Sequence, residues 1–298
     1  MDTLTRLSQV YNAAETVPFD DSSKIILMSD IHRGTGDWTD NFSRNQNIYY
    51  AALNHYYNEG YTYIEIGDGD ELWENDNISE IIEAHRDVFW LLQQFFLQGR
   101  LYLIFGNHDM VKKDYKFAQN KLSAYFQQRE KEYTPFLPNI RIHEGLVLKH
   151  RVTDQRLFLV HGHQVEFLNY TLWRVARFLV RYLWRPLELV GLQDPTSTAN
   201  NPERKEPVEK RLTEWVKRNQ LPLIAGHTHR SMFPKTGEPP YFNCGSAVHL
   251  RCITGIELEG GNITLVKWNV KTRGDGTLYI GREVLAGPRK LAGICQDM

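Results

Sequence analysis

Short apolar runs alternate with segments of helical periodicity over the first third of the chain. The three β-rich runs occupy residues 24–30, 61–67 and 101–106. Between them, the helical patterns of residues 41–60 and 78–98 end at Gly60 and Gly99, because glycine readily closes a helix. This alternation predicts stacked α/β layers, in which ligands bind at the loops that follow the carboxyl ends of the strands.

The pattern changes in the second half of the chain. Strand-like runs return at residues 141–149, 156–161 and 221–226. Residues 241–285 alternate short β runs with glycine-containing turns, which predicts antiparallel hairpins. Residues 165–215 interrupt the strands with aromatic, arginine-rich and helical sequence. We therefore predict one α/β domain over residues 1–298 that carries a helical cap or insertion at residues 165–215.

The composition of the 298-residue chain, 42% hydrophobic and 24% charged, is ordinary for a globular protein. A net charge of −1 disfavours a general nucleic-acid binder, so we predict no nucleic-acid partner. The three cysteines form no CxxC pair, the N-terminus lacks the apolar core of a signal peptide, and no uncharged apolar run could span a bilayer. These features predict a cytoplasmic protein with reduced thiols.

Five short polar clusters directly follow predicted strands. They are Asp30-Ile31-His32, Gly67-Asp68, Gly106-Asn107-His108-Asp109, His161-Gly162-His163 and Gly226-His227-Thr228-His229. A lone histidine after a strand is more often a hydrogen-bonded surface residue than a ligand, but five clusters in the same position are hard to explain in that way. Because the strand ends of a sheet converge, we expect these carboxylates, imidazoles and an amide to share one pocket.

The residue types in these clusters suit a centre for two divalent metal ions. Carboxylate and amide oxygens are hard ligands, imidazole is a borderline ligand, and the set contains no cysteine. This mixed ligation favours manganese, while iron, zinc and nickel are also compatible with it. Two ions about 3.5–4 Å apart, joined by a bridging carboxylate, can clamp both oxygens of an in-line displacement at phosphorus.

The ordered series DxH, GD, GNHD, H and GHxH, within residues 24–250, is similar to the motifs of the calcineurin-like metallophosphoesterase superfamily. The resemblance implies a four-layer α-β-β-α sandwich, with two sheets between helices, and a dinuclear metal site at the strand ends. The implied ligands are Asp30, His32 and His229 for the first ion, Asp68 as the bridge, and Asn107, His161 and His227 for the second ion.

The resemblance also implies that His108 of the GNHD motif is the general acid. It would protonate the leaving oxygen while a hydroxide ion activated by the metal ions attacks phosphorus. The superfamily usually has GDxxD, whose second Asp supports this histidine, but the matching residue here is Glu71. Either Glu71 or Asp109 is expected to orient His108, and we interpret Asp70 as a solvated acid without a role.

The run GDGDELWE, residues 67–74, is similar to the GDxxExW stretch of the UDP-2,3-diacylglucosamine pyrophosphatase branch, which acts on a lipid-linked diphosphate. That branch usually has Arg where this chain has His108. A general acid favours ester hydrolysis, because an alkoxide is a poor leaving group without a proton.

The insertion contains a basic amphipathic segment between the last two metal motifs. Its arginines, spaced by three, four and four residues on one helix face, are Arg174, Arg177, Arg181 and Arg185. Three interpretations stay open. The segment is a cap helix packed on the core, or Arg174, Arg177 and Arg181 bind substrate phosphates, or residues 165–190 contact anionic lipid at a membrane surface.

The first hypothesis is therefore a dinuclear-metal-dependent phosphoesterase that hydrolyses a small phosphorylated substrate. The second is a pyrophosphohydrolase of a nucleotide-diphosphate-linked, lipidic substrate such as UDP-diacylglucosamine. A serine/threonine protein phosphatase and a catalytically silent scaffold are two further hypotheses, although the complete set of ligands and His108 argues against the scaffold. The predicted location is the cytoplasm, and peripheral contact with the membrane stays open.

Overall fold

The computed structural model describes residues 2–127, 131–184 and 202–294. Within these residues, seven strands form the larger sheet. In spatial order they are β14 (Leu278–Lys290), β13 (Asn262–Thr272), β12 (Cys252–Glu259), β2 (Ile25–Met28), β3 (Thr62–Ile66), β4 (Leu101–Ile104) and β7 (Ile142–His143). The half from β2 to β7 is parallel, and the half from β14 to β2 is antiparallel.

Five of the described strands form the second sheet. In spatial order they are β1 (Glu15–Phe19), β8 (Gly145–His150), β9 (Arg156–Val160), β10 (Leu223–Ala225) and β11 (Tyr241–Asn243). All neighbours in this sheet pair in parallel except β8 and β9, which are antiparallel. A separate hairpin joins β5 (Ala124–Gln127) to β6 (Glu132–Pro135).

The two sheets pack face to face. Because successive side chains of a strand point to opposite faces, Ile25 and Leu27 of β2 enter the core between the sheets, whereas Ile26 and Met28 point away from it. Residues such as Leu148 and Leu159 fill the inner core from the five-stranded sheet. Central strands such as β2 and β9 are buried on both faces, which explains their continuous apolar sequences.

Helices cover the outer face of each sheet. On the larger sheet lie α2 (Gln46–Asn58), α3 (Ile78–Ala84) and α4 (Arg86–Leu97), and on the smaller sheet lie α1 (Thr3–Ala13) and the helix Pro202–Asn219. Each helix buries one apolar stripe, for example Val208, Leu212 and Trp215 of the last helix. The predicted α-β-β-α sandwich is confirmed.

Several predicted elements differ in detail from the structure. The single helix expected over residues 78–98 is two helices, because His85 turns inward between them and its Nε2 lies 2.7 Å from Oδ2 of the buried Asp40. Of the expected hairpins in residues 241–285, β12 to β14 are antiparallel, but β11 pairs in parallel with β10. Helix α1 and strand β1 were not predicted.

The described part of the insertion is helical but broken into pieces. Helix Phe167–Thr171 is followed by Trp173–Leu179, which continues as a π-helix, Val180–Trp184. Arg185 and the rest of the predicted 165–190 segment lie outside the described residues. Among residues 2–127, 131–184 and 202–294, no helix is both long enough and apolar enough to cross a membrane.

Candidate metal and catalytic site

The five polar clusters meet at the carboxyl ends of strands from both sheets. Asp30, Asp68 and Asn107 follow β2, β3 and β4 of the larger sheet, while His161 and His227 follow β9 and β10 of the smaller one. Backbone hydrogen bonds join the loops, and the N–H of Asp30 donates to the carbonyl of Gly67 at 3.1 Å. The two packed sheets therefore bring the predicted ligands together at one edge of the sandwich.

Glycines of the motifs allow the ligands to approach one another. A Cβ atom added to Gly106 would lie 2.1 Å from Oδ1 of Asp68, and one added to Gly226 would lie 1.8 Å from Oγ of Ser29. Neither distance is compatible with a side chain. The glycine of GNHD and that of GHxH are therefore required by close packing around Asp68 and Asp30.

Five of the predicted ligands have a left-handed backbone. Their φ angles lie between 52° and 69°, at Asp30, His32, Asp68, His227 and His229. This region is unfavourable for residues with a Cβ atom and is found where surrounding structure enforces it, often at functional sites. The surrounding loops thus hold these side chains in a conformation that the local sequence does not favour.

The first ligand group contains Asp30, His32 and His229, whose ligand atoms lie within 4.8 Å of one another. Oδ2 of Asp30 accepts hydrogen bonds from Ser29 Oγ at 2.6 Å and from the N–H of His227 at 2.8 Å. Oδ1 of Asp30 is buried without a hydrogen bond, 3.1 Å from Nε2 of His229. Burial lowers the pKa of His229 to about 4 despite Asp30, so its ring is neutral.

The second group contains Asp68, His161 and His227. His161 donates its Nδ1–H to the carbonyl of Ile66 at 2.8 Å, which turns Nε2 towards Oδ2 of Asp68 at 3.0 Å. Oδ1 of Asn107 lies 3.2 Å from the same Nε2. Oδ2 of Asp68 is also 3.9 Å from Nε2 of His32, so this carboxylate stands between the two groups.

These donors fit a pair of divalent cations. A buried carboxylate oxygen without a hydrogen bond is costly unless a cation neutralises it, and Oδ1 of Asp30 is such an atom, 3.1 Å from Nε2 of His229. Asp68 stands between the two groups, and all donors are oxygen or imidazole nitrogen. The side chains present therefore match the ligand chemistry expected from the sequence.

Glu71 connects the general-acid candidate to the first ligand group. Its Oε1 lies 2.8 Å from Nδ1 of His108, and its Oε2 lies 2.7 Å from Nδ1 of His32. Trp73 stacks on the His108 ring at 4.4 Å. Burial favours the neutral ring, but Glu71 and Asp68 outweigh it and raise the pKa of His108 to about 10. One carboxylate thus orients two imidazoles.

Asp109, the other candidate for orienting His108, has different contacts. It accepts hydrogen bonds from the N–H groups of Gly106 at 2.6 Å and Gly69 at 3.2 Å, and from Nζ of Lys112 at 2.6 Å. It therefore ties the loop after β3 to the loop after β4. Of the two acids, the structure places Glu71 against His108.

The interpretation of Asp70 as a solvated acid is wrong. Its side chain is 2% exposed and lies 2.7 Å from both Nε of Arg33 and Nζ of Lys112. Arg33 also donates to both oxygens of the buried Glu65 at 2.8 Å. Although burial opposes ionisation, Arg33 and Lys112 hold the pKa of Asp70 at about 2. A buried ionic network lies beneath the ligand loops.

The three candidate substrate-binding arginines have different surroundings. Arg181 donates to the carbonyls of Trp73 at 2.9 Å, Leu72 at 3.0 Å and Asn75 at 2.7 Å. The guanidinium carbons of Arg174 and Arg177 lie 5.5 Å and 5.1 Å from the ring centroid of Trp173. Arg181 thus anchors the insertion to the loop that carries Glu71, and a role of these arginines towards substrate stays a prediction.

One feature of the site was missed from the sequence. Glu166, at the start of the insertion, lies 2.6 Å from Nε2 of His227. Glu166 stands apart from the five strand-end clusters, so position along the chain gave no signal for it. Only the folded path of the insertion brings its carboxylate to the site.

Fold and side chains together define a metal-dependent phosphoesterase. The family model for calcineurin-like phosphoesterase matches residues 23–231, and the chain belongs to this family. Members of the family usually bind two divalent metal ions, in agreement with the two ligand groups. The match spans all five motifs, from Asp30 to His229.

A search of solved structures finds Vps29 of Chaetomium thermophilum among those similar to this chain. It has 12% sequence identity and a TM-score of 0.36, and the match covers 89% of this chain and 97% of Vps29. Vps29 of the same organism in complex with a RaPID-derived cyclic peptide, RT-D3, has 13% identity and a TM-score of 0.30, with coverage of 89% and 96%. Likeness of this degree carries no inference about activity. A comparison with curated proteins gave no match.

Proposed function

We propose that the protein hydrolyses an ester of phosphoric acid in a small molecule, with two manganese ions as cofactors and His108 as the general acid. The observation that carries the proposal is the pair His108–Glu71, 2.8 Å apart, beside the two ligand groups. When bound, the two ions would neutralise phosphate charge and lower the pKa of the attacking water. The ligands assigned above would hold them.

The residues around His108 prepare it for proton donation. Glu71 accepts the Nδ1–H, so Nε2 presents its proton to the leaving oxygen of the substrate. Trp73 stacks against the ring and restricts its rotation. The backbone N–H of His108 donates to Oδ1 of Asp68 at 2.8 Å, which fixes the general acid relative to the bridging carboxylate.

Metal-stripped protein resupplied with Mn²⁺ tests the proposal. A phosphomonoester, a phosphodiester and a UDP-sugar diphosphate are compared, with Asp68→Ala as the matched control. We expect Mn²⁺-dependent turnover, fastest on an ester, that is lost in the control. A wild-type protein that binds no metal ion, or that turns over none of these substrates at any Mn²⁺ concentration, would contradict it.

The role of His108 is tested by the leaving group. His108→Ala should slow hydrolysis of an alkyl phosphate by about 10²–10⁴-fold. A p-nitrophenyl ester should be affected much less, because nitrophenolate leaves without a proton. Equal losses on both substrates would argue against proton donation by His108.

A second candidate is hydrolysis of a lipid-linked diphosphate at a membrane surface. Its support is the insertion, where Leu172, Val175, Phe178, Leu179 and Tyr182 are exposed beside Arg174 and Arg177. Apolar side chains flanked by arginines are suited to anionic lipid. This candidate retains the same metal site but needs less help from His108, because a phosphate is the better leaving group.

Vesicle co-sedimentation separates the two candidates. Binding to phosphatidylglycerol vesicles but not to phosphatidylcholine vesicles, lost in Phe178→Ser but kept in Leu278→Ser, would support the lipid substrate. Leu278 is an exposed residue of β14 and serves as the control. Failure to bind anionic vesicles, together with preference for a water-soluble ester, would exclude it.

A further inference from the structure

Glu166 contacts a predicted metal ligand from outside the strand-end loops. Its Oε2 lies 2.6 Å from Nε2 of His227, and the side chains are 16% and 3% exposed, respectively. The contact is largely shielded from water, so solvent and salt screen it less than a contact on the surface. Glu166 directly precedes the first helix of the insertion, Phe167–Thr171.

The nitrogen that Glu166 contacts decides which nitrogen of His227 is left for a metal ion. A neutral imidazole carries one N–H and one lone pair. A carboxylate accepts a hydrogen bond but cannot donate one, so it selects the tautomer that is protonated at Nε2 and leaves the lone pair on Nδ1. Metal-binding histidines commonly use a carboxylate on the second nitrogen in this way.

The carboxylate is itself held in place. The side-chain amide of Asn169 donates to Oε2 of Glu166, and the N–H of Tyr170 donates to the Glu166 carbonyl at 3.2 Å. Arg211, on the helix Pro202–Asn219, donates to the carbonyl of Val165 at 2.8 Å. Two helices thus fix the position from which Glu166 reaches His227.

We propose that Glu166 is a positioning residue for the second metal ion: it accepts the Nε2–H of His227 and directs the Nδ1 lone pair towards the ion held with Asp68 and His161. The inference rests on the metal centre of the proposed function. It assigns to the insertion a direct contribution to metal affinity, independent of any substrate.

Calorimetric titration of metal-stripped protein with Mn²⁺ tests the inference without substrate. In Glu166→Ala, we expect one of the two sites to bind about 10- to 100-fold more weakly, and the other to be unchanged. Glu166→Gln keeps an acceptor oxygen but loses the charge, so its loss should be smaller. Asn169→Ala, which only releases the carboxylate, should weaken the same site slightly.

Glu209→Gln is the matched control. Glu209 lies 3.3 Å from Oγ1 of Thr228, so it touches the same loop without contacting an imidazole in the described part of the chain. The Glu209→Gln variant should bind both ions with the same affinities as the wild type. Circular dichroism of each metal-free variant checks that the fold is kept.

The outcomes separate this inference from the proposed function. Two ions bound by the wild type with unchanged affinities in Glu166→Ala would overturn the inference alone. Equal weakening in Glu166→Ala and Glu209→Gln would also overturn it, because the effect would then belong to the loop. A wild type that binds no ion would overturn the proposed function and the inference together.

Discussion

At the scale of single residues, Glu71 contacts two imidazoles that have different proposed roles. It contacts Nδ1 of both His32 and His108, at 2.7 Å and 2.8 Å. In each histidine the opposite nitrogen, Nε2, is then left for another role: metal binding in His32 and proton donation in His108, under the proposed function. Under the proposed function, a metal ligand and the general acid would therefore depend on the same carboxylate.

Glu71→Gln should damage both tasks. A carboxamide has one acceptor oxygen, and its NH₂ group cannot accept an N–H from the second imidazole. We expect kcat for an alkyl phosphate to fall by about 10²–10⁴-fold, the usual contribution of a general acid. Steady-state kinetics at saturating Mn²⁺ measures this change in kcat, and Glu80→Gln, on the exposed side of α3, is the control. Unchanged kcat would argue that His108 needs no orienting acid.

The sequence alone predicted which candidate ligands lie together, but not the residues that support them. Asp30, Asp68 and His161 were predictable because each follows an apolar strand, and strand ends converge. Asp109 adjoins His108 in the sequence, whereas Glu71 lies 37 positions away, and only the loop geometry distinguishes the two candidates. Asp70 was misinterpreted because its partners, Arg33 and Lys112, are distant in sequence.

At the scale of elements, the buried ionic network stabilises the loops after β2, β3 and β4. Asp70 joins Arg33 to Lys112, and Lys112 joins Asp70 to Asp109. Removing one partner of a buried pair leaves the others uncompensated, at a cost of about 3–5 kcal/mol. The network thus contributes stability to the backbone that carries the ligands.

Asp70→Asn should lower the free energy of unfolding by about 3–5 kcal/mol, because it removes one charged partner from the buried network. Urea denaturation followed by circular dichroism measures the change. Asp275→Asn, at an exposed turn, should differ from the wild type by less than about 0.5 kcal/mol. A similar small change in both variants would mean that the network contributes little.

Arg181 links the insertion to the loop that carries Glu71 and Trp73. In Arg181→Ala, three carbonyls lose their donor, and we expect kcat for a phosphomonoester to fall about 10- to 100-fold through misplacement of His108. Mn²⁺ affinity should be kept. A raised KM with unchanged kcat would instead indicate that Arg181 binds substrate. Arg218→Ala, at a surface ion pair, is the control.

The hydrophobic pattern of a segment does not always predict where a helix ends. The periodicity of residues 78–98 runs through His85 without a break, so a single helix was expected. The pairing of His85 with the buried Asp40 ends α3 and begins α4. A contact between residues 45 positions apart in sequence cannot be seen in a local pattern.

At the scale of the whole molecule, the proposed metal binding would be linked to folding. The candidate ligands come from loops of both sheets, so an unfolded chain could not bind the ions with the same affinity. The four-layer architecture was predictable from the family motifs. The exact path of the insertion was not, because its contacts to Leu72 and His227 are made by isolated residues.

Mn²⁺ should therefore raise the thermal midpoint of the metal-stripped protein. At a free concentration about 100 times the Kd, a single site contributes about 2.7 kcal/mol. Scanning calorimetry across Mn²⁺ concentrations measures the shift. Asp68→Ala should show little or no rise, and a wild-type midpoint that is independent of Mn²⁺ would contradict binding to the folded state.

The two attachments of the insertion bear on how the segment could be exchanged. Glu166 reaches His227 at one end of the segment, and Arg181 holds the loop of Trp73 further along. A chimera that replaces residues 167–201 by a relative's cap would keep Glu166 but lose the Arg181 anchor. A graft that leaves the Glu71 loop undisturbed therefore has to retain a donor for the carbonyls of Leu72, Trp73 and Asn75.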